Sequence, residues 1–246
     1  MLGIKDYQNY LFILAHPDDE LYCCCLMHQL VEAGKKVSVA YVTSGDAGIN
    51  AEIREAEISD SMDIIGVSPE NTNLLRFSES TVLNSFKDIF GKLEALGNKI
   101  KPDCIVTMDY EGAHEGHDSV SFLSYKLAKS FDAMLYVFPV YHAKDGQRDA
   151  AEFLPGHKAS DVITLKSIDS EVKLKVFEAH KGQIGHFLRL QINKPEYFQL
   201  MFSRELFMEV DGQLDFDERP VIEISYESHR NGFKYEDFRK AVNSLN

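Results

Sequence analysis

The chain has no apolar stretch approaching the ~20 residues that a membrane-crossing helix needs. Its start, MLGIKDYQNY, lacks the basic region and apolar segment of a secretion signal. Basic residues never run longer than pairs such as Lys35-Lys36. With 26 Lys+Arg against 39 Asp+Glu, the net charge is −13 at pH 7, which repels phosphate backbones and anionic headgroups. The expectation is a soluble, cytoplasmic protein with no nucleic-acid partner and no membrane span. Cysteine is scarce too. Three of the four, Cys23, Cys24 and Cys25, are adjacent, so they form neither a spaced ligand set nor an ordinary disulfide framework. Cys104, in the run Cys104-Ile105-Val106, reads as buried.

Other absences narrow the chemistry. There is no G-x-x-x-x-G-K-[ST] and no G-x-G-x-x-G after a strand, which removes the usual nucleotide cradles. No G-x-S-x-G elbow presents a serine nucleophile. No glycine- or serine-rich linker, repeat or low-complexity tract divides the chain.

What is present alternates short β-branched runs with segments of helical period, the pattern of βαβ units. Strands are predicted at 10–15, 37–43, 103–107 and 134–138, and helices at 18–34, 51–65 and 80–97, stopped by Gly34, Gly66 and Gly97. The fold class is therefore α/β, a Rossmann-like, mostly parallel sheet with helices on both faces. Beyond residue 140 the pattern predicts strands at 161–165 and 221–226 and a helix at 168–181, an elaborated C-terminal portion. Segment 205–227 carries eight acidic residues against Arg219 alone, the composition of a solvated face. The run Tyr197-Phe198-Gln199-Leu200-Met201-Phe202 suits either core or a homo-oligomer contact.

Two polar clusters stand at predicted strand ends, where open α/β sheets bind ligands. The first is Ala15-His16-Pro17-Asp18-Asp19-Glu20. An acidic helix start needs no active site, because the dipole alone stabilises it. His16, however, stands three residues before Asp19, a spacing that lets both turn toward one divalent cation. The second cluster runs from Asp109 to Asp118 and places His114 and His117 three apart in a loop with two glycines. Either histidine can supply a third ligand. A His₂Asp set leaves a coordination position for water, whose pKa a catalytic zinc lowers toward ~7. Asp18 is placed to take that water's proton, and the spare histidine to donate to an oxyanion or a leaving nitrogen. These are the parts of metal-assisted amide hydrolysis.

At these residues the chain resembles the LmbE/PIG-L family of zinc-dependent N-deacetylases. The family's A-H-P-D-D-E stands intact at 15–20, its R-x-x-E at Arg54 and Glu57, and its H-x-x-H at His114 and His117. The resemblance implies His16, Asp19 and His117 as ligands of Zn²⁺, Asp18 as general base, and His114 as the group that stabilises the tetrahedral intermediate or protonates the amine. Arg54 is implied at the site's rim, His180 facing the site, from a lysine-histidine-glutamine pattern matched by Lys173, His180 and Gln183, and Asp109 as a further substrate-binding residue. The implied partner is a small N-acetylated sugar of N-acetylglucosamine type, or a conjugate of it. The chain is expected to be one such domain over 1–246, with its catalytic core at about 10–185. The common G-G-H-P-D-H reads Gly112-Ala113-His114-Glu115-Gly116-His117, and Gly182 replaces a serine, departures that bear on loop rigidity and substrate choice.

Two other readings use the same residues. A metal-dependent esterase or amidase on another acyl group would differ only in later loop residues such as Tyr141, His142, Arg148 and His157. A non-catalytic sugar- or metal-binding relative would have no use for Asp18. The ligand set itself accepts zinc, iron(II), cobalt or manganese.

Overall fold

A computed structural model describes residues 3–46, 48–144, 147–183, 185, 195–211, 214–221, 223–228 and 232–245; the side chains of 144 and 147–149, Arg148 among them, lie outside the description. Five parallel strands make the body of the sheet: β1 (Asn9–Leu14), β2 (Lys36–Thr43), β3 (Thr72–Phe77), β4 (Cys104–Met108) and β5 (Met134–Phe138). β1 and β4 are buried along nearly their whole length, so they read as continuous apolar runs rather than alternating ones. The spatial order is β3-β2-β1-β4-β5, and two antiparallel strands extend it, β9 (Arg204–Glu209) beside β5 and β8 (Asp161–Thr164) beyond. A separate hairpin pairs β6 (Tyr141–Lys144) with β7 (Gln147–Ala150).

Helices cover both faces. On one, α1 (Cys24–Glu32), α2 (Ala51–Ile65) and α5 (Ser167–Ala179) pack together; on the other, α3 (Phe86–Ile100) packs on α4 (Glu115–Phe131), which the helix Tyr235–Asn243 flanks. α2 has the predicted bounds: Asn50 Oδ1 accepts from the Glu52 amide at 2.7 Å, and Gly66 stops the helix at φ 92°.

Several expectations are corrected. Residues 18–34 are not one helix, because a 3-10 turn at Asp19–Tyr22 precedes α1, and Cys23, at φ −144°, breaks between them. Likewise a 3-10 turn at Glu79–Asn84 precedes α3, and Gly97 does not end that helix. It lies inside α3, where a Cβ would stand 2.7 Å from the Phe131 ring; Lys101, at φ 53°, is the stop. Residues 221 and 223–226 form no strand, and Ser225–Ser228 is a 3-10 turn. The sequence reading placed no strand at 72–77 or 204–209. β9 opens the acidic segment yet occupies the sheet, with Leu206 and Phe207 buried and Glu205 satisfied internally. Of the aromatic run, Tyr197 and Met201 are buried against Ala150.

Candidate active site

β1 leads through α1 to β2 on one side, whereas β4 leads through α4 to β5 on the other. The chain thus diverges between β1 and β4, and the carboxyl ends at such a point are where open α/β sheets form their ligand crevice. His16 follows β1 directly. Its turn is tied down by Thr43 Oγ1, which donates to the Ala15 carbonyl at 2.7 Å. Asp18 sits at φ 103°, a left-handed conformation that costs a non-glycine residue of order 1–3 kcal/mol and so requires support from its surroundings.

Across the crevice, His114 and His117 belong not to a free loop but to the start of α4. His114 is its N-cap, with Nδ1 accepting the Gly116 amide at 3.1 Å, which leaves the ring proton on Nε2. His117 lies in the first turn. Asp118 shapes the approach by accepting the amides of Glu111 and Gly112 at 3.3 and 3.0 Å. Gly116 gives the close approach its room, since a Cβ there would stand 2.9 Å from His16 Nε2.

The two stretches meet. His16 Nδ1 is 3.1 Å from His117 Nε2, His117 Nε2 is 3.2 Å from Asp19 Oδ1, and His16 Nδ1 is 3.5 Å from Asp19 Oδ2. A tetrahedral ion with bonds of ~2.0–2.1 Å sets its ligand atoms ~3.3 Å apart, so the spacing and the donor set fit a cation of the zinc type. Burial pulls the His16 imidazole down, but Asp19's hydrogen bond and charge outweigh it and lift its pKa to about 9. Burial raises Asp19, yet the charge and hydrogen bond of His117, with those of His16, hold its carboxylate well below the usual range. Both shifts express one demand, for positive charge at this point, which a divalent cation also meets. One ring nitrogen from each of His16, His114 and His117 also falls within 4.8 Å of the others, so His114 stands beside the same point.

Behind these groups lies a buried charge network. Arg54, only 1% exposed, reaches Asp18 Oδ2 at 3.3 Å and Glu57 Oε2 at 3.0 Å and donates to the Pro17 carbonyl. His180, fully buried, meets Glu20 Oε1 at 2.6 Å; Ser61 Oγ donates to the same oxygen at 2.6 Å. Glu20 Oε2 accepts the Asp18 amide at 3.0 Å, and Glu57 Oε1 accepts the Gly182 amide at 2.6 Å. Burial raises the Asp18 carboxyl, Arg54 lowers it and Asp19 raises it again, leaving it at about 6. Arg54 and His180 therefore stand behind Asp18 and Glu20 rather than at an open rim.

Asp109, also fully buried, accepts from His157 Nδ1 at 2.6 Å through Oδ2. Glu111 holds the start of the β6 hairpin, accepting the Val140 and Tyr141 amides at 2.9 and 3.1 Å and facing His142 Nδ1 at 3.4 Å. Tyr141 sets its ring 5.4 Å from that of His117. Sequence reasoning assigned no role to Glu20 or Glu111 and named His157 only among later loop residues that bear on substrate choice. Glu20 closes the A-H-P-D-D-E run, so its place was signalled; the partners of the other two come from distant chain. Cys24 and Cys25 are buried beside Glu205, which accepts the amides of Cys25 and Leu26 at 3.0 and 2.9 Å and pairs with Lys173 at 3.0 Å. These cysteines pack the start of α1.

The arrangement defines a class: an α/β protein that gathers two imidazoles and a carboxylate at the carboxyl edge of a parallel sheet, with a second carboxylate alongside. Residues 11–128 match the family model described as PIG-L: GlcNAc-PI de-N-acetylase, so the chain carries a domain of the PIG-L (LmbE-like) family. No curated protein matches the sequence significantly. Among solved structures, N,N'-diacetylchitobiose deacetylase from Pyrococcus horikoshii matches with a TM-score of 0.63 at 18% identity, covering 84% of this chain and 85% of that one. The zinc-inhibited form of teicoplanin deacetylase Orf2 matches with a TM-score of 0.60 at 14% identity, covering 83% and 99%. GalB, a 4-carboxy-2-hydroxymuconate hydratase from Pseudomonas putida KT2440, matches with a TM-score of 0.54 at 13% identity, covering 85% and 98%. At such identities the likeness establishes the fold, and the hydratase shows that this fold carries more than one chemistry. Among the described residues no helix is long and apolar enough to cross a membrane.

Proposed function

We propose that the protein is a metal-dependent hydrolase that removes the acetyl group from an N-acetylated sugar of N-acetylglucosamine type or a related amine. The observation that carries this reading is the convergence of His16, Asp19 and His117 with Asp18 adjacent. These three side chains would hold the metal, which supplies an acidified water and polarises the acetyl carbonyl. Asp18, whose carboxyl burial lifts to about 6, is suited to receive the water's proton, and Arg54 orients its carboxylate. His114, whose Nδ1 accepts the Gly116 amide, has Nε2–H as its donor, the group suited to an oxyanion. Glu57, His180 and Glu20 fix the groups behind.

The test is acetate and free amine released from N-acetylglucosamine and its conjugates by protein purified without added metal. Chelation followed by titration with zinc, iron(II), cobalt or manganese accompanies it. Activity that ignores chelation, or none on any N-acetyl amine, sinks the proposal. The match to a hydratase favours one second reading, that the same centre processes a different substrate class. Turnover of esters or of unsaturated hydroxy acids in the same panel, with N-acetyl amines inert, would establish it.

A further inference from the structure

The Asp109–His157 pair lies outside the roles assigned so far. Asp109 directly follows the last residue of β4, Met108, as Ala15 and His16 follow the end of the neighbouring parallel strand β1 at Leu14. The Asp109 carboxylate is fully buried and committed on both oxygens, Oδ1 to the Tyr110 amide at 2.8 Å and Oδ2 to His157 Nδ1 at 2.6 Å. The His157 side chain is 30% exposed, so the ring is anchored through one nitrogen and meets solvent on its open side. Its neighbour Glu111 carries the hairpin that sets Tyr141 against His117. His157 thus stands on a carboxylate at the carboxyl end of β4, the strand that leads into the His114–His117 turn, yet comes from the segment between β7 and β8, far from either motif.

The chemistry leaves a place for it. Expelling an amine requires a proton on nitrogen as the C–N bond breaks. His114 Nδ1 is occupied by the Gly116 amide, which suits that ring to hydrogen-bond donation rather than to proton delivery. An imidazole backed by a buried carboxylate is the usual arrangement for a ring that must carry and release a proton. Two carboxylates, Asp109 and Glu111, face His157; the hydrogen bond to Asp109 raises its pKa against the effect of burial, which favours the cation.

We infer that His157, held by Asp109, is a further catalytic residue that donates its Nε2 proton to the departing amine nitrogen. This rests on the deacetylase reading. As the C–N bond breaks, its electron pair stays on nitrogen, which bonds the His157 proton while the acyl carbon keeps both oxygens as acetic acid, which loses its proton to solvent as acetate. The water's proton passes to Asp18; solvent then reprotonates His157 and deprotonates Asp18.

The experiment compares wild type, His157→Gln, His157→Ala and Asp109→Asn on whichever N-acetylated amine wild type turns over best, with metal content and thermal melts alongside. Expected are a fall in kcat of ~10²-fold for both His157 variants at unchanged metal content, partial recovery of His157→Ala by added imidazole, and an alkaline limb of the kcat profile moved to lower pH in Asp109→Asn. Unchanged kcat, a rise in KM alone, or an unmoved limb in Asp109→Asn overturns the inference while leaving deacetylation intact. Should a His157 variant fold poorly, the Asp109→Asn profile still decides. No acetate from any N-acetyl amine by wild type overturns the reading and this inference together.

Discussion

Arg54 Nη2 lies 3.3 Å from Asp18 Oδ2 while Nη1 of the same guanidinium lies 3.0 Å from Glu57 Oε2, so one buried cation orients a carboxylate of the crevice and neutralises one behind it. Arg54→Leu leaves Glu57 buried with the Gly182 amide and a more distant His180 in place of its guanidinium, and removing one partner of a buried pair costs up to ~3–5 kcal/mol. Because Arg54 holds the Asp18 carboxyl down, its loss also moves the acid limb of kcat/KM to higher pH. Denaturant unfolding reads the first effect and a pH–rate profile the second.

Asp18→Asn separates proton transfer from folding. Asparagine tolerates the left-handed backbone that Asp18 adopts, so the turn survives. Turnover drops ~10²–10⁴-fold with metal content retained. Wild-type rates in this variant would remove Asp18 from the mechanism.

His16→Ala, Asp19→Asn and His117→Ala lose metal instead. Elemental analysis after dialysis is expected to show near-stoichiometric metal in the parent and in Asp18→Asn, and little in these three. Retention of metal in all three would dismantle the ligand set.

Gly116→Ala reverses the ordinary helix rule. Alanine in a helix is normally favoured over glycine by ~0.5–1 kcal/mol. Here its Cβ would stand 2.9 Å from His16 Nε2, and such crowding costs ~1–3 kcal/mol. Weaker metal binding and a lower melting temperature are expected; a more stable, fully metallated variant would contradict the packing.

The buried His180–Glu20 pair makes stability depend on pH at both ends. Burial alone would lower the His180 pKa, but the charge and hydrogen bond of Glu20 raise it from 6.5 to about 10. That stabilisation is complete below the unfolded value and disappears as pH rises through the folded one. Burial opposes ionisation of Glu20, yet His180 and Ser61 lower its pKa, so its own contribution is present at neutral pH and disappears in acid. The gap in melting temperature between wild type and His180→Gln is therefore largest at about pH 5–6, between the ordinary carboxylate and imidazole values, and shrinks toward pH 10 and above. A gap constant across that range would show that His180 is neutral in the folded protein.

Much of this protein is written locally. The apolar runs at 10–15 and 37–43 can satisfy their backbones only between neighbours in a covered sheet, and Asn50 and Gly66 bound α2 through their own geometry. The A-H-P-D-D-E and H-x-x-H spacings alone mark the metal-binding candidates. β3 and β9 escaped because edge and antiparallel strands are partly exposed and carry mixed polarity, including Asn73, Arg76 and Glu205. The kinks at Cys23 and before α3 escaped because 3-10 turns share the hydrophobic period of the helices they precede.

Sequence by itself determined which groups are available for chemistry and which elements carry them, since propensity, capping and periodicity act over a few residues. Only the tertiary structure decided that Arg54 and His180 lie behind the crevice, and that His157 reaches Asp109 across 48 residues of chain. Such pairings follow from strand order and helix docking, where the free energy belongs to contacts between segments that no local pattern encodes.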